Sequence, residues 1–346
     1  MNTDTFLPNV NPPIKLSWQK IVARYHNPDL RRSLWQVVNS FAPFFVAWYL
    51  MYRSLEWSYW LTLALAIPTT GFLMRIFIIF HDCGHGSFFK SQKANDWVGT
   101  ICGILTFTPY YQWRRDHAIH HATSGDLDRR GIGDVTTLTV KEYLALPWHK
   151  RLGYRLYRHP LVMLVLGPTF LFLVGHRLVS PGAGKRERDS VLWTNAALLA
   201  ITLVLSWAIG PKPLLLVHLP ILLLSSTAGV WLFYVQHQFE TTTWEHNENW
   251  DYARAALYGS SFYRLPKILQ WFTGNIGFHH IHHLSPKIPN YELQKCHEEN
   301  PVFHEATTLT LLASLKSLTL RLWDEEQKKM VGFGYLKRLP EGSTPA

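Results

Sequence analysis

Three short stretches of this sequence carry histidines at spacings that suit metal binding. In HDCGH the two histidines lie four residues apart, so both imidazoles share one face if the segment is helical. HAIHH and HHIHH each carry three histidines at positions i, i+3 and i+4. A helical turn with three imidazoles on one face packs poorly in an apolar core and is well suited to a metal ion. The candidate ligands in these stretches are His81, His85, His117, His120, His121, His279, His282 and His283.

Histidine is also unusually common in the whole chain. There are 18 histidines, against roughly 8 expected at ordinary usage. A lone histidine on an apolar helix face is more often a hydrogen-bonded core residue than a ligand, but three clusters in one chain favour a metal site. His237, at the end of an apolar run, is a ninth candidate. His246 is a weaker candidate, and His280 faces away from the other histidines of its own cluster.

The number and type of these ligands restrict the chemistry. Nine imidazoles are too many for one zinc ion, which takes about four ligands and about three from the protein when it is catalytic. Two metal ions with four or five nitrogen ligands each fit the count. Neutral nitrogen ligands with room for exogenous oxygen suit iron that reacts with dioxygen. In a membrane, such a centre would attack the C–H bonds of an alkyl chain, which acid–base groups cannot activate.

The apolar segments of the chain must position these histidines. The sequence has 346 residues, 47% of them hydrophobic, and several apolar runs approach the ~20 residues that a helix needs to cross a bilayer. These runs alternate with polar segments rich in histidine and arginine. We therefore predict a single all-α integral membrane domain over residues 1–346, with four transmembrane helices, interfacial helices and a cytoplasmic histidine-rich cap. The spans are expected at about residues 34–52, 57–85, 191–209 and 214–235.

Two shorter apolar segments, 98–112 and 161–175, are expected to lie at the membrane interface. The first is too short to span the bilayer. The second is about fifteen residues long and is interrupted by Gly167 and Pro168. If it crossed the membrane, an odd number of crossings would place the third histidine cluster on the opposite side from the second.

The ends of the chain are expected to be cytoplasmic. Residues 1–32 are polar and then basic, which favours a cytoplasmic N-terminus, and they lack the apolar core of a cleaved signal peptide. Residues 306–323 repeat leucine at helical spacing and predict an amphipathic helix. Residues 324–346 are expected to form a mobile tail. Arg75, inside the second span, is expected to extend its side chain to the headgroup region.

The charge and cysteine content exclude some classes of partner and cofactor. The formal net charge is +10, with 34 Lys and Arg against 24 Asp and Glu. The basic residues lie beside the apolar runs, which indicates anionic lipid headgroups rather than nucleic acid and would also suit an acidic electron carrier. Cys83, Cys102 and Cys296 are too few for a disulfide framework or for the four thiolates of an iron–sulfur cluster.

The three clusters resemble the histidine boxes of a known family. HDCGH, HAIHH and HHIHH, in this order and with two spans between the second and third, resemble the boxes of membrane-bound fatty acid desaturases. GNIGFHHIHHLSPKIPNY resembles the acyl-lipid omega-6, or delta-12 type, branch, and the resemblance covers roughly residues 34 to 300. Gly86 follows HDCGH where many relatives of that branch have a further histidine, which leaves the position of the double bond open. The resemblance implies that two irons are ligated by His81, His85, His117, His120, His121, His237, His279, His282 and His283.

The resemblance also implies a reaction and its partners. Dioxygen and two electrons would remove two hydrogens from adjacent methylenes of a lipid-linked, monounsaturated acyl chain and leave a cis double bond and water. No haem-binding domain is fused to the boxes, so the electrons are expected from a separate ferredoxin-like protein or b-type cytochrome. Asp82, Asp116 and Glu240 are expected to orient imidazoles through their second nitrogens.

Other functions are compatible with parts of this pattern. An alkyl or acyl hydroxylase, or a carotenoid-modifying oxygenase, would use the same boxes, since hydroxylation also begins with removal of hydrogen. A metal transporter or a zinc-dependent membrane receptor is a more distant alternative. Transport would need ionisable residues at mid-bilayer depth in several spans, whereas the histidines here gather at the ends of the spans. The sequence leaves the oligomeric state open.

Overall fold

The computed structural model describes residues 14–339 of the chain, and side chains from Trp18 onwards. The fold is mostly helical, with 67% of residues in helices and few short strands. The strands are β1 (Leu138–Thr139), β2 (Phe262–Arg264), β3 (Thr308–Thr310), β4 (Leu322–Asp324) and β5 (Lys329–Val331). A π-helical turn covers Val162–Leu166, and 3-10 turns cover Gly175–Arg177, Pro301–Phe303, Leu315–Thr319 and Phe333–Arg338. The α-helices are α1 (Ile14–Ala23), α2 (Leu30–Ser54), α3 (Tyr59–His85), α4 (Gln92–Leu105), α5 (Tyr110–Thr123), α6 (Val140–Ala145), α7 (Trp148–Tyr157), α8 (Gly167–Leu173), α9 (Lys185–Ile209), α10 (Pro211–His237), α11 (Tyr252–Tyr258), α12 (Lys267–Phe272), α13 (His279–Leu284), α14 (Asn290–Glu298) and α15 (Leu311–Ser314).

In the part of the chain that the structure describes, four helices are long and apolar enough to cross a membrane, as predicted. They are α2, α3, α9 and α10, with 25, 27, 25 and 27 residues, and at about 1.5 Å per residue each exceeds the roughly 30 Å of a bilayer core. α3 is the central helix, because 56% of its most apolar window is buried and it packs against α2, α4 and α10. α9 is peripheral, with only 6% of its window buried.

α4 packs closely against the start of α5, and both helices contact the end of α3. A Cβ atom at Gly99 would lie 2.2 Å from Cε2 of Tyr110, so only glycine lets the two helices approach this closely. The Tyr110 hydroxyl is buried and donates to the Cys83 carbonyl at 2.7 Å. Contacts with α4 and α5 therefore fix the position of the last turn of α3, which carries HDCGH.

The segment from Trp148 to Arg177 does not complete a membrane crossing. The segment has two helical arms, Trp148–Tyr157 and Val162–Arg177, and the angle between them is 60°. The histidine-bearing ends of α5 and α10 meet at one site, as described below, so the chain crosses an even number of times between them. Because α9 and α10 already provide two crossings, the bent segment lies at the histidine-bearing end of the bundle.

The C-terminal region differs from the sequence prediction. The leucine repeat in residues 306–323 predicted one amphipathic helix, which is wrong, because this stretch contains β3, the four-residue α15, a 3-10 turn and β4. β4 pairs in parallel with β1 and antiparallel with β5, and Leu322 is fully buried opposite Val331. Strand pairing places alternate residues on one face, so leucine spacing alone did not identify the structure. Residues 324–339 continue into β5 and the last 3-10 turn rather than forming a tail, and residues 1–13 and 340–346 lie outside the described residues.

Arg75 does not extend to the headgroup region, so that prediction was wrong. Its side chain is buried and donates to the carbonyl of Trp271 at the end of α12 and to Oδ1 of Asn39 at 3.0 Å. The guanidinium also lies 3.7 Å from the centre of the Trp271 ring. These neutral acceptors remove the need for water around the charge, and the contacts hold α12 against α2 and α3.

Candidate metal centre

Four helices bring the candidate ligands together at one end of the bundle. The last turn of α3 carries the histidines of HDCGH, the last turns of α5 carry those of HAIHH, and His237 is the final residue of α10. The histidines of HHIHH lie on α13. α3 ends where Gly86 adopts a left-handed conformation, with a φ of 65°, which glycine tolerates at a helix C-terminus. All nine histidines proposed from the sequence therefore reach the same region.

Five of these histidines form a first group. A ring nitrogen of each lies within 4.8 Å of a ring nitrogen of every other member. Nε2 of His121 is 3.2 Å from Nε2 of His117 and 3.0 Å from Nε2 of His282. Two nitrogens bound at right angles to one ion, each at about 2.1 Å, would be about 3.0 Å apart. The members of this first group are His81, His85, His117, His121 and His282.

A second group lies beside the first. Ring nitrogens of His120, His237 and His283 lie within 4.8 Å of one another. His279 adjoins them, because its Nε2 is 3.0 Å from Nε2 of His237 and its ring is 4.5 Å from that of His283. The two groups are neighbours because α5 and α13 each give one histidine of a consecutive pair to each group. Two separate metal positions are therefore possible.

Several inward-facing nitrogens lack a partner. Nε2 of His85, of His120 and of His283 is buried and makes no hydrogen bond within residues 14–339. Buried polar atoms in native proteins are nearly always bonded, so these three atoms, drawn from both groups, indicate a missing partner. A cation at the centre of each group would supply it. The residues present thus fit two metal ions.

Burial keeps two candidate ligands of α5 and three of α13 neutral. It lowers the pKa of His117 and of His121 well below the usual range, and the neighbouring imidazoles lower it further. The pKa values of His279, His282 and His283 are lowered in the same way, first by burial and then by neighbouring histidines. Only a neutral imidazole has a lone pair for a metal ion. These five ligands are therefore ready to bind metal at neutral pH.

Asp82 orients the first histidine, as predicted. Its Oδ1 lies 3.1 Å from Nδ1 of His81, which leaves Nε2 of that ring directed at the group. Its Oδ2 accepts from the backbone N–H and the side-chain amide of Asn290, at 2.7 and 2.8 Å. This carboxylate therefore ties the end of α3 to the start of α14, just beyond HHIHH.

A second orienting carboxylate is Asp134, which the sequence analysis did not identify. Its Oδ1 lies 2.5 Å from Nδ1 of His120. No spacing rule points to it, since it lies in the loop after α5. The two other predicted carboxylates do not contact an imidazole of the centre: Asp116 accepts from Ser180, and Glu240 binds the Lys316 ammonium.

Two further histidines lie outside the groups. His246, the weaker candidate, is exposed. Its Nδ1 lies 2.9 Å from Oδ1 of Asp128, and its Nε2 lies 3.2 Å from Oε1 of Glu325. His280 faces away from the centre and its Nε2 lies 3.2 Å from Nδ1 of His297.

Gly277, just before HHIHH, provides a test of how this segment is positioned. A Cβ atom at this position would lie 2.4 Å from the carbonyl oxygen of Tyr263 in β2, and a backbone atom cannot move aside. We expect Gly277→Ala to lower the free energy of unfolding by about 1–3 kcal/mol and to reduce bound metal, because α13 is displaced. Thermal unfolding in detergent and metal analysis of the purified protein would measure both.

Gly153 in α7 provides the matched control. A Cβ atom there would meet nothing within 4 Å, and alanine favours a helix over glycine by about 1 kcal/mol. Gly153→Ala should keep the wild-type stability or raise it. Equal stability and metal content in the two variants would contradict the positioning role of Gly277.

A large apolar cavity leads to the centre. It has a volume of about 1240 Å³, and its walls include His81, His117 and His279. Its lining residues on α10 extend from Pro211 to Gln236, about 37 Å along the helix at 1.5 Å per residue. The cavity therefore runs from the histidines through most of the membrane.

The cavity is open to the side. Phe45, Leu215 and Leu219 line it and are also exposed, with 51%, 60% and 40% of their surfaces accessible. These side chains lie within the spanning parts of α2 and α10, where the surroundings are lipid tails. A long apolar molecule can therefore enter directly from the bilayer, with a section of its length beside the histidines.

Comparison with known proteins agrees with this geometry. The sequence profile of one family, described as fatty acid desaturase, matches residues 55–309. A fatty acid desaturase of Bacillus subtilis is 51% identical over 326 residues, which cover 94% of this chain and 93% of the relative. The sn-1 oleoyl-lipid 12-desaturase of Synechocystis is 28% identical over 77% of each chain. The sn-1 acyl-lipid omega-3 desaturase (ferredoxin) of the same organism is 29% identical over 64% of this chain and 62% of its own.

The two histidine groups, the apolar cavity that ends at them and the family profile all indicate oxidation of long acyl chains. The chain belongs to the fatty acid desaturase family and is an oxidoreductase that acts on fatty acyl chains.

Proposed function

We propose that this protein is an oxygen-dependent desaturase that introduces a cis double bond into a lipid-linked acyl chain at a non-haem di-iron centre. The observation that carries this proposal is the position of two adjacent histidine groups at the end of one apolar cavity. An acyl chain in that cavity would present its methylenes to the histidines, while most of the remaining wall is apolar.

The nine histidines would hold two irons. His81, His85, His117, His121 and His282 would hold one, and His120, His237, His279 and His283 the other. All-nitrogen ligand sets of this kind suit iron better than magnesium or calcium, which prefer oxygen ligands. Bound iron would supply the activation of dioxygen that unactivated C–H bonds require.

The walls of the cavity would position the acyl chain and exclude water. Three apolar side chains line the cavity between its far end and the histidines, namely Leu73, Phe77 and Leu222. They offer only apolar contacts to the acyl chain. We propose a glycerolipid as the substrate, because the cavity opens to lipid and the Synechocystis relatives are named as acyl-lipid or oleoyl-lipid desaturases. A monounsaturated chain is the form expected from the resemblance to the omega-6 branch.

The histidine-bearing end is proposed to face the cytoplasm. The start of α2 lies at this end, because Ser33 donates to the carbonyl of Phe88 at 2.7 Å. Arg31 and Arg32 directly precede that serine, and basic residues next to a span favour the cytoplasmic side.

The reaction also needs an external reductant. Removal of two hydrogens together with two electrons and two protons from outside converts dioxygen into two waters. One Synechocystis relative carries ferredoxin in its name. A ferredoxin-like protein or a b-type cytochrome is therefore the proposed donor for this chain.

Expression in a host whose membranes contain both saturated and monounsaturated acyl chains would test the proposal. We expect new dienes in the membrane lipids, identified by gas chromatography and mass spectrometry after conversion of the acyl groups to methyl esters. A His282→Ala variant, which lacks a member of the first histidine group, would be the control and should yield none. New monoenes would indicate desaturation of saturated chains, whereas hydroxylated chains would contradict the proposal and favour a hydroxylase.

A further inference from the structure

The centre is closest to the outer surface at His85. Of the nine histidines, His85 and His117 are partly exposed, whereas the other seven are buried. His117 lines the apolar cavity, so part of its exposure faces the substrate space, whereas His85 lines neither that cavity nor the small one beside His237. Gly86, the next residue, is also partly exposed, so the exposed edge of His85 lies toward the outer surface.

Positive charge surrounds this edge. The Lys287 ammonium donates to the backbone carbonyl of His85 at 3.0 Å and is exposed. It lies 3.5 Å from the position of a Cβ at Gly86, where the Gln92 side chain also arrives. Lys90 and Lys93 flank Gln92 and are exposed. We refer to Lys90, Lys93 and Lys287 as the lysine face.

The lysine face is not neutralised within the described residues. None of its three ammonium groups makes an ion pair with a carboxylate in residues 14–339. The nearby carboxylate Asp96 is held by two arginines, Arg114 at 3.1 Å and Arg186 at 3.3 Å. The net charge around the exposed edge of His85 is therefore positive, and a partner with acidic groups would complement it.

We propose that an acidic electron-transfer protein docks on the lysine face and that electrons enter the centre beside His85. This inference rests on the proposed function, which requires two electrons for each double bond. A one-electron carrier such as ferredoxin would dock twice per turnover, and its negative charge would speed the encounter at low salt. The contact between Lys287 and His85 then places the bound carrier directly over a candidate metal ligand.

Charge reversal on the full-length enzyme in lipid nanodiscs would test the docking site. Turnover would be measured with a plant-type ferredoxin reduced by NADPH and its reductase, and separately with dithionite and methyl viologen, which need no docking. For the triple variant Lys90→Glu, Lys93→Glu, Lys287→Glu we expect the KM for ferredoxin to rise about tenfold or more. The ratio of ferredoxin-driven to viologen-driven turnover should fall accordingly.

The matched control reverses three exposed lysines beside the C-terminal sheet, in Lys141→Glu, Lys150→Glu, Lys337→Glu. It should keep the wild-type KM for ferredoxin. Lys287→Arg, which retains the charge, should also keep it. Added salt should slow ferredoxin-driven turnover of the wild type and leave viologen-driven turnover unaffected, because screening weakens the encounter only.

The possible failures can be told apart. An unchanged KM in the triple variant, or an equal rise in the control, would overturn the docking site while leaving the proposed function intact. A wild-type enzyme that forms no product with either reductant would refute the proposed function itself. If Lys287→Glu perturbs folding, the double variant Lys90→Glu, Lys93→Glu keeps the Lys287 contact with His85 and still decides the question.

Discussion

Replacing His283 by alanine should abolish product formation and lower the bound iron to about one ion per chain. His283 belongs to the smaller histidine group, which consists of three histidines with mutually close ring nitrogens and the adjoining His279. Loss of one ligand leaves three nitrogens in this group, which should hold an ion much more weakly than the intact four. Iron analysis of the purified protein and fatty-acid analysis of the host membranes would measure the two effects.

Two further variants show whether the loss of iron is specific to the second histidine group. The substitution His280→Asn changes a residue of the same short helix. Because His280 faces His297 instead of the centre, the iron content should remain that of the wild type. His85→Ala removes one of five ligands, and the four that remain should retain iron more strongly than the depleted second group. If His283→Ala keeps its iron and its product, the assignment of the second group is wrong.

Asp134→Asn should lower turnover by about 10-fold to 100-fold and weaken iron binding by a similar factor. The carboxylate lies 2.5 Å from Nδ1 of His120 and fixes which nitrogen of that ring faces the centre. An amide has nearly the same shape but lacks the charge, and it can present an N–H group to the ring. Titration of the metal-free protein with ferrous iron would measure affinity independently of turnover.

Glu240→Gln is the control for this carboxylate. Glu240 was also predicted to orient an imidazole, but it binds Lys316 at the surface. The variant should bind iron as the wild type does. Equal effects of the two substitutions would mean that Asp134 acts through general stability and not through His120.

The spans and the candidate ligands could be predicted because their signals are local. Four apolar runs of membrane-spanning length and three histidine clusters at helical spacing can be recognised without tertiary information. Parity of the crossings then placed the clusters on one side. The structure supplied what parity does not, namely the division of the nine histidines between two groups.

The features that were missed depend on tertiary contacts. Asp134 approaches His120 across a loop whose path no spacing rule describes, and the apolar cavity exists only between packed helices. Arg75 was expected to extend to the headgroups because the carbonyl of Trp271, nearly 200 residues later, could not be foreseen as its acceptor. The leucines of residues 306–323 matched a helical period, but Leu322 lies in a strand because β1 and β5 pair with that strand on either side.

The division of consecutive histidines between the groups has a mechanical consequence. Neighbouring residues on a helix point about 100° apart, so His120 with His121, and His282 with His283, each reach into both groups. The separation of the groups is thus set by covalent geometry within α5 and α13 and not by the distance between remote helices. Sliding of α3 or α10 as the bilayer thins or thickens would strain individual ligands, while the spacing of the paired sites would stay constant.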